Sequence, residues 1–364
     1  MKRKILLVAG ARPNFMKIAP LQKAIAAHTA SLEQILVHTG QHYDASMSDV
    51  FFQDLEMTAP AVNLEVGSGS HAQQTAEVMM RFEPVLMDYA PDWVVVPGDI
   101  NSTMACTLVA AKLGFRVAHL EAGLRSFDRT MPEEINRLVT DQLSDLLLTP
   151  SADGDENLKR EGVDPAKIHM VGNIMIDSLL HLLPKAEARA GELLQSLGLE
   201  GTGYILATMH RPANVDQPEK LIKILESLNC LAEGRPVVMP VHPRTRQRIE
   251  AMKFQPSGGM KLTGPMGYLD FLALERHAAL VITDSGGVQE ETTFLGVPCL
   301  TVRPNTERPV TITLGTNTLV DCGRDAILAA AVEKLRPSTA PRVPPPLWDG
   351  ATGVRVAALL ESLA

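Results

Sequence analysis

Cysteine is scarce in this chain of 364 residues: Cys106, Cys230, Cys299 and Cys322 are its four, and they lie scattered. No CxxC pair occurs and no histidine stands at a ligand spacing, which argues against a disulfide framework or a zinc site; the four read as reduced, mostly buried thiols. Basic blocks are missing too, as is any patch that interleaves them with aromatics. With a formal net charge of -8 and an isoelectric point near 5.7, a nucleic-acid partner is disfavoured, and basic residues must act locally. No apolar run approaches the roughly 20 residues of a membrane span. The opening "MKRKILLVAGARPNF" imitates a signal peptide, but its apolar run is short and Arg12 follows at once. A first β-strand of a soluble, cytoplasmic protein is the expectation. Several signature motifs are also lacking: GxxxxGK[ST], GxSxG and HExxH do not occur. "GSGSHA", Gly67 to Ala72, matches a dinucleotide fingerprint, but it has neither a convincing strand before it nor the acidic strand end that should follow. No metal, nicotinamide or other cofactor is expected.

What the chain has instead is a succession of short apolar runs, each followed by a turn and a helical pattern. "KILLVAG", "QILVHTG", "WVVVPGD", "RVAHLEAG", "DLLLTPS" and "IHMVGN" form a first series; "YILATMH", "PVVMPVH", "ALVITDSGG" and "PCLTV" form a second. Runs without polar alternation fit strands covered on both faces, and their alternation with helices predicts βαβ units around parallel sheets. The length favours two domains. The boundary is expected between Gly172 and Gly203, giving domains 1–172 and 173–346, each Rossmann-like. Past the proline-rich stretch "RPSTAPRVPPPLWDG", residues 347–364 read as an amphipathic helix able to return to the first domain.

In parallel α/β sheets ligands bind beyond the carboxyl ends of the strands, where loops and helix N-termini converge. Almost every expected strand exit carries a polar residue: Arg12, Gln41 with His42, Asp99 and Glu121 in the first series, then His210 with Arg211, His242 with Arg244, and "TDSGGVQEE" in the second. Plain structural roles compete at several of them. Asp99 could cap a helix starting near Asn101 or Ser102. Thr130 and Glu133 have capping-box spacing, and Glu133 with Arg137 has the spacing of an i,i+4 ion pair. Glu121 resists such a role, because a carboxylate at the end of a buried strand is costly unless paired or wetted. His210 and His242 stand at equivalent exits, which moves both toward a site. In "TDSGGVQEE", Ser-Gly-Gly between a strand and a helix brings unpaired N–H groups to a position that a phosphate can approach; a tight turn with Glu290 and Glu291 in the first helical turn is the alternative.

Together these residues resemble the non-hydrolysing UDP-N-acetylglucosamine 2-epimerases. The likeness runs through nearly the whole chain in order: "GARPNFMK", "HTGQHYD", "PGDINST", "HLEAGLRS", "MPEEINR", "VGNIMIDS", "MHRPANVD", "PVHPRTR", "TDSGGVQEE" and "NTERP". It implies an α/β glycosyltransferase-B-like fold of two Rossmann-like domains, an active site in the interdomain cleft, a UDP-sugar substrate, no cofactor and a homodimer. Carried over by motif, it puts Asp99, Glu121, Glu133 and His210 at the reacting sugar with Arg137 nearby. Ser285, Gly286, Gly287 and Arg308 would hold the diphosphate, Glu291 the ribose hydroxyls and Phe271 a face of the uracil. Arg12, Lys17, Gln41 and His242 would line the site. Departures from the family pattern include Ile100 where many members have threonine, Met266 where some have glutamine, and Gln73 in place of an arginine of members that bind a second UDP-sugar. The implied reaction is epimerisation at C2 of UDP-N-acetylglucosamine by elimination and re-addition of UDP. A UDP-2,3-diacetamido-glucuronate substrate, or a glycosyltransferase on the same fold, is the alternative.

Overall fold

The computed structural model describes residues 2–40, 54–336 and 343–363. The chain divides into two compact units: Met1–Ser178 together with Pro346–Ala364, and Leu179–Pro345. The division falls inside one long helix, Ile174–Ser196.

Unit 1 is built on seven strands: β1 (Arg3–Ala9), β2 (Leu32–His38), β3 (Val62–Asn63), β4 (Trp93–Pro97), β5 (Arg116–Leu120), β6 (Leu146–Thr149) and β7 (Ile168–Met170). They pair in the order β3-β2-β1-β4-β5-β6-β7, and the pairings are parallel. Every residue of β4 is buried, as a strand sandwiched between two helical layers requires. Truncating such a residue, Val94 for example, leaves a cavity the sheet cannot close, at a cost of about 1–3 kcal/mol. The strand order reverses between β1 and β4, so the crevice for a ligand opens beyond their carboxyl ends. The register pairs Pro97 with Leu120, which brings the exits of β4 and β5 level.

The carboxyl-terminal helix, Thr352–Ser362, packs on the helix Arg12–Ala26. A Cβ on Gly353 would stand 2.9 Å from the carbonyl oxygen of Pro20, so only glycine permits this approach. Pro20 has no N–H for the Met16 carbonyl one turn back, and the Ser178 hydroxyl donates to that carbonyl instead. Asp177 accepts the N–H groups of Thr352 and Gly353 at 3.2 and 2.7 Å, and the Trp348 indole donates to Pro150 O at 3.0 Å.

Unit 2 has six strands: β8 (Ile205–Thr208), β9 (Val237–Pro240), β10 (Met260–Thr263), β11 (Leu280–Thr283), β12 (Cys299–Val302) and β13 (Asn317–Val320). Their order is β10-β9-β8-β11-β12-β13, again with parallel pairings. Here the reversal lies between β8 and β11, and Thr283 pairs with Thr208. Three strands were not among the expected runs: β3, β10 and β13. All three lie at sheet edges and are half-exposed, with burial confined to one or two residues where there is any, so the continuous apolar signature of a central strand is missing.

Candidate active site

In unit 1 the strand exits hold carboxylates, each braced by a cation. Glu121 follows β5 directly and has φ 76°, a left-handed backbone that costs a non-glycine residue about 1–3 kcal/mol and persists where the surroundings demand it. It is 7% exposed, and its carboxylate is ion-paired with the ammonium of Lys17, which reaches it from the helix Arg12–Ala26. Lys17 Nζ passes so close to Gly98 that a Cβ there would lie 2.7 Å from it. Asp99 accepts from Arg137 Nε at 3.0 Å and lies 2.9 Å from Nη2 of the same guanidinium. The following helix, Asn101–Lys112, has Ile100 as its cap residue, with no side-chain bond from it.

Arg137 lies on the helix Pro132–Leu143, and its other partner is Glu134. The i,i+4 pair between Glu133 and Arg137 is therefore not formed. Glu134 points inward, 1% exposed, and accepts from the N–H and hydroxyl of Ser126 at 2.9 and 3.0 Å and from the N–H of Phe127 at 2.9 Å. Glu133, next to it, is exposed. The capping box is also absent: the cap residue is Met131, and Thr130 donates its hydroxyl to Asp128 at 2.6 Å. Both local explanations of Glu133 thereby lose their partner.

Beneath these groups lies a buried polar network. His119, on β5, faces Asp141 Oδ1 at 2.5 Å through Nδ1 and the Gly98 carbonyl at 2.7 Å through Nε2. Asp141 is 2.6 Å from Arg125 Nη1 and accepts the Gly123 N–H at 3.2 Å; Arg125 continues to Glu161 at 2.8 and 2.7 Å. Burial disfavours the Asp141 carboxylate, but the charge and hydrogen bond of His119, then those of Arg125, hold it below the usual carboxylate range. This network ties the exit of β4 to the exit of β5.

In unit 2 the exits of β8 and β11 bring His210 beside Asp284. The imidazole Nδ1 is 3.1 Å from Asp284 Oδ1, and the same carboxylate accepts the N–H groups of His210 and Arg211 at 3.0 and 3.1 Å and the Asn214 amide at 3.0 Å. Burial works against its charge, but the hydrogen bond and charge of His210, with the amide donors, hold Asp284 below the usual range. The His210 side chain is 57% exposed, a ring oriented from below and open above.

Ser285 stands at the cap position of the helix Gly286–Leu295 with no side-chain cap bond, and the first N–H groups of a helix have no intrahelical acceptor. A Cβ at Gly286 would meet Arg308 Nη1 at 2.7 Å, whereas none would meet anything at Gly287. Arg308 Nε is 2.9 Å from Glu290; Arg303 grips Glu307 at 2.9 and 2.8 Å, and Arg211 Nη2 is 3.5 Å from Glu307. Guanidiniums and free N–H groups thus share the end of one sheet, an arrangement suited to a diphosphate.

Phe271 is half-buried against the core of this unit. Glu291 accepts the Tyr268 hydroxyl at 2.7 Å. His242 caps the helix Pro243–Ala251, its Nδ1 accepting the Arg244 N–H at 3.3 Å. Gln41 lies outside the described residues, as does the side chain of Arg12. "GSGSHA" starts a helix: Ser70 and Gln73 form the capping box of His71–Tyr89. That helix, with Met104, Pro132 and Ile135, lines an apolar cavity of about 540 Å³.

Among the described residues, sequence reasoning passed over Glu134, Asp141, His119 and Asp284. A histidine inside the apolar run "RVAHLEAG" and an aspartate at the strand exit "TDSGG" were the available signals. Asp141 had none, since its partners come from other elements.

A profile of the UDP-N-acetylglucosamine 2-epimerase family matches residues 23–361. A protein of Methanococcus maripaludis described as a UDP-N-acetylglucosamine 2-epimerase homolog is 45% identical over 92% of this chain and 93% of its own. The UDP-2,3-diacetamido-2,3-dideoxy-D-glucuronate 2-epimerase of Pseudomonas aeruginosa is 45% identical over 90% of this chain and 91% of its own. The crystal structure of the Methanocaldococcus jannaschii UDP-GlcNAc 2-epimerase in complex with UDP-GlcNAc and UDP superposes with a TM-score of 0.87 at 39% identity, covering 98% of this chain and 99% of that one. With carboxylates at the exits of one glycosyltransferase-B-like sheet and phosphate-suited groups at those of the other, this chain belongs to the UDP-N-acetylglucosamine 2-epimerase family, a family of isomerases.

Proposed function

We propose that the chain inverts C2 of a UDP-N-acetylhexosamine, interconverting UDP-N-acetylglucosamine and UDP-N-acetylmannosamine. The observation that carries the reading is Glu121: a buried carboxylate in a left-handed backbone, ion-paired with Lys17 and level with the Asp99–Arg137 pair. Such strain is retained where geometry matters to function. The C2 proton is not beside a carbonyl, so direct deprotonation is unfavourable. Elimination avoids this: the C2–H and C1–O bonds break, C1=C2 forms, and UDP leaves with the C1–O electron pair. Re-addition of UDP with protonation of the opposite face of C2 completes the inversion.

In this reading Asp99, Glu121, Glu133 and His210 serve the sugar, supplying proton transfer and support for positive charge at C1. Asp284 orients His210, and Glu134 holds Arg137 against Asp99. Ser285, Gly286, Gly287 and Arg308 take the departing diphosphate, Glu291 the ribose and Phe271 the uracil, with Arg12, Lys17, Gln41 and His242 as further lining. The relative solved with UDP-GlcNAc and UDP supports the choice of nucleotide sugar. Incubation with UDP-N-acetylglucosamine in D2O tests the mechanism: deuterium at C2 of recovered sugar is expected, and its absence overturns elimination. The Pseudomonas relative favours a second substrate, a UDP-2,3-diacetamido-glucuronate; turnover of that compound alone, in the same assay, moves the assignment to it. The homodimer implied by the family belongs to this proposal and is read from the mass in solution.

A further inference from the structure

Two helices of unit 2, Tyr268–His277 and Gly286–Leu295, enclose a polar cluster of which the proposed function uses only Glu291. Tyr268 and Glu275 stand two turns apart on one face of the first helix, with Phe271 between them. Glu275 is 0% exposed and Glu291, on the second helix, 4%. The Tyr268 hydroxyl donates to Glu291 at 2.7 Å. No N–H or O–H donor of the described residues reaches either oxygen of Glu275, and the charged group that acts on it is the carboxyl of Glu291 on the neighbouring helix.

Two carboxylates in contact and away from water cannot both be ionised, because each already lacks hydration and each repels the other. A single proton turns the contact into a hydrogen bond and removes one charge. Burial, then the charge of Glu291, pushes Glu275 well above the usual range, and burial pushes Glu291 up to about 7. Other titratable groups around the pair are Glu290, Cys299 and Lys334. Glu290 adds negative charge and is turned to Arg308 at 2.9 Å. Cys299, on β12, is a thiol that burial keeps neutral. Lys334 donates to Thr316 O at 2.7 Å.

We propose that Glu275 is a positioning residue for the nucleotide: it carries the proton that holds Glu291 as a single oriented carboxylate, whose remaining lone pairs accept the ribose hydroxyls of UDP. This rests on the reading of Glu291 given above. Glu275 itself does not touch the ligand. The arrangement makes ribose recognition conditional on one proton, since its loss leaves two buried charges in contact and drives Glu291 out of register.

The experiment is calorimetric titration of the full chain with UDP and with 2′-deoxy-UDP, from roughly pH 6.5 to 9.5, for the wild type, Glu275→Gln and Glu275→Leu, with melting temperatures alongside. Glu275→Gln keeps a donor that does not titrate, so its Kd at neutral pH should lie within about threefold of the wild type. Once the pair loses its proton, the wild-type Kd should weaken toward tenfold per pH unit relative to that variant. Glu275→Leu removes the donor and should lose the preference for UDP over the deoxy compound. Parallel pH profiles for the wild type and Glu275→Gln overturn the proposal, as does a Glu275→Leu protein with its ribose preference intact. Should Glu275→Leu melt early, the Gln comparison decides alone. A wild type that does not bind UDP sinks the underlying reading instead, a different result from either of these.

Discussion

The exits of β4 and β5 in unit 1 and those of β8 and β11 in unit 2 are carboxyl ends of parallel strands near a reversal of strand order, which falls between β1 and β4 in one sheet and between β8 and β11 in the other. They are furnished differently. Unit 1 presents carboxylates, and each exit carboxylate is balanced inside the protein: Glu121 by Lys17, Asp99 by Arg137. Unit 2 presents an open imidazole, a Ser-Gly-Gly helix start and guanidiniums. The carboxyl ends of parallel strands are therefore furnished with either braced carboxylates or N–H groups and guanidiniums, depending on what lies beneath them. A carboxylate at a buried strand exit needs a braced counter-charge, whereas a phosphate site needs bare N–H groups and no Cβ.

The sharpest way to break this contrast is to mutate two neighbours. Glu133→Gln should lower turnover about 10²–10⁴-fold, the usual worth of a proton-transfer group, while UDP affinity and melting temperature stay put, because the residue is exposed. Glu134→Gln, which disturbs the buried bonds to Ser126, Phe127 and Arg137, should instead cost about 3 kcal/mol of stability by denaturant titration. Near-normal turnover in Glu133→Gln would return that residue to the surface and leave the unit 1 exits with two carboxylates only.

The same pair of neighbours shows what could be read in advance. The central strands declared themselves as uninterrupted apolar runs, and with them the two parallel sheets. Which glutamate of "PEE" faces inward did not, because adjacent helix positions differ by roughly 100° and the phase is set where the preceding loop lets the helix begin. Local spacing favoured a bond from Glu133 to Arg137; burial of Glu134 under the Ser126 and Phe127 N–H groups decided otherwise. Asp284 was hidden for another reason: its partners His210, Arg211 and Asn214 lie on a distant segment of chain, joined to it only by the pairing of β8 with β11. The edge strands β3, β10 and β13 were silent because half-exposed segments carry little apolar signal, whereas the edge strand β7 still showed in "IHMVGN".

A second measurement compares the two buried aspartates. Both are held below the usual range, so each stabilises the fold above the unfolded pKa of about 3.9 and loses that contribution as the pH falls from there through its lowered folded value. Asp141 is braced by His119 and Arg125, with His119 and Asp141 fully buried, Asp284 by the exposed His210 ring first and by the Asn214 and backbone N–H donors after it. Asp141→Asn should therefore cost about 3 kcal/mol at neutral pH and flatten the acid limb of stability below about pH 4. Asp284→Asn should do the same to a smaller degree. Equal effects would mean that the two units hold their exit loops by similar means.

The smallest expected effect concerns His242, where a cap and a ligand role compete on one side chain. Its Nδ1 accepts the Arg244 N–H, so His242→Ala should cost about 1 kcal/mol or less through the lost cap of a short helix. Asn at this position restores the cap without restoring the imidazole, and that substitution separates the two roles. If His242 serves UDP only by fixing the helix Pro243–Ala251, His242→Asn binds UDP as the wild type does and melts with it. If the imidazole itself contacts the ligand, Asn recovers the melting temperature but not the affinity, and unit 2 then has a second histidine working at a strand exit beside His210.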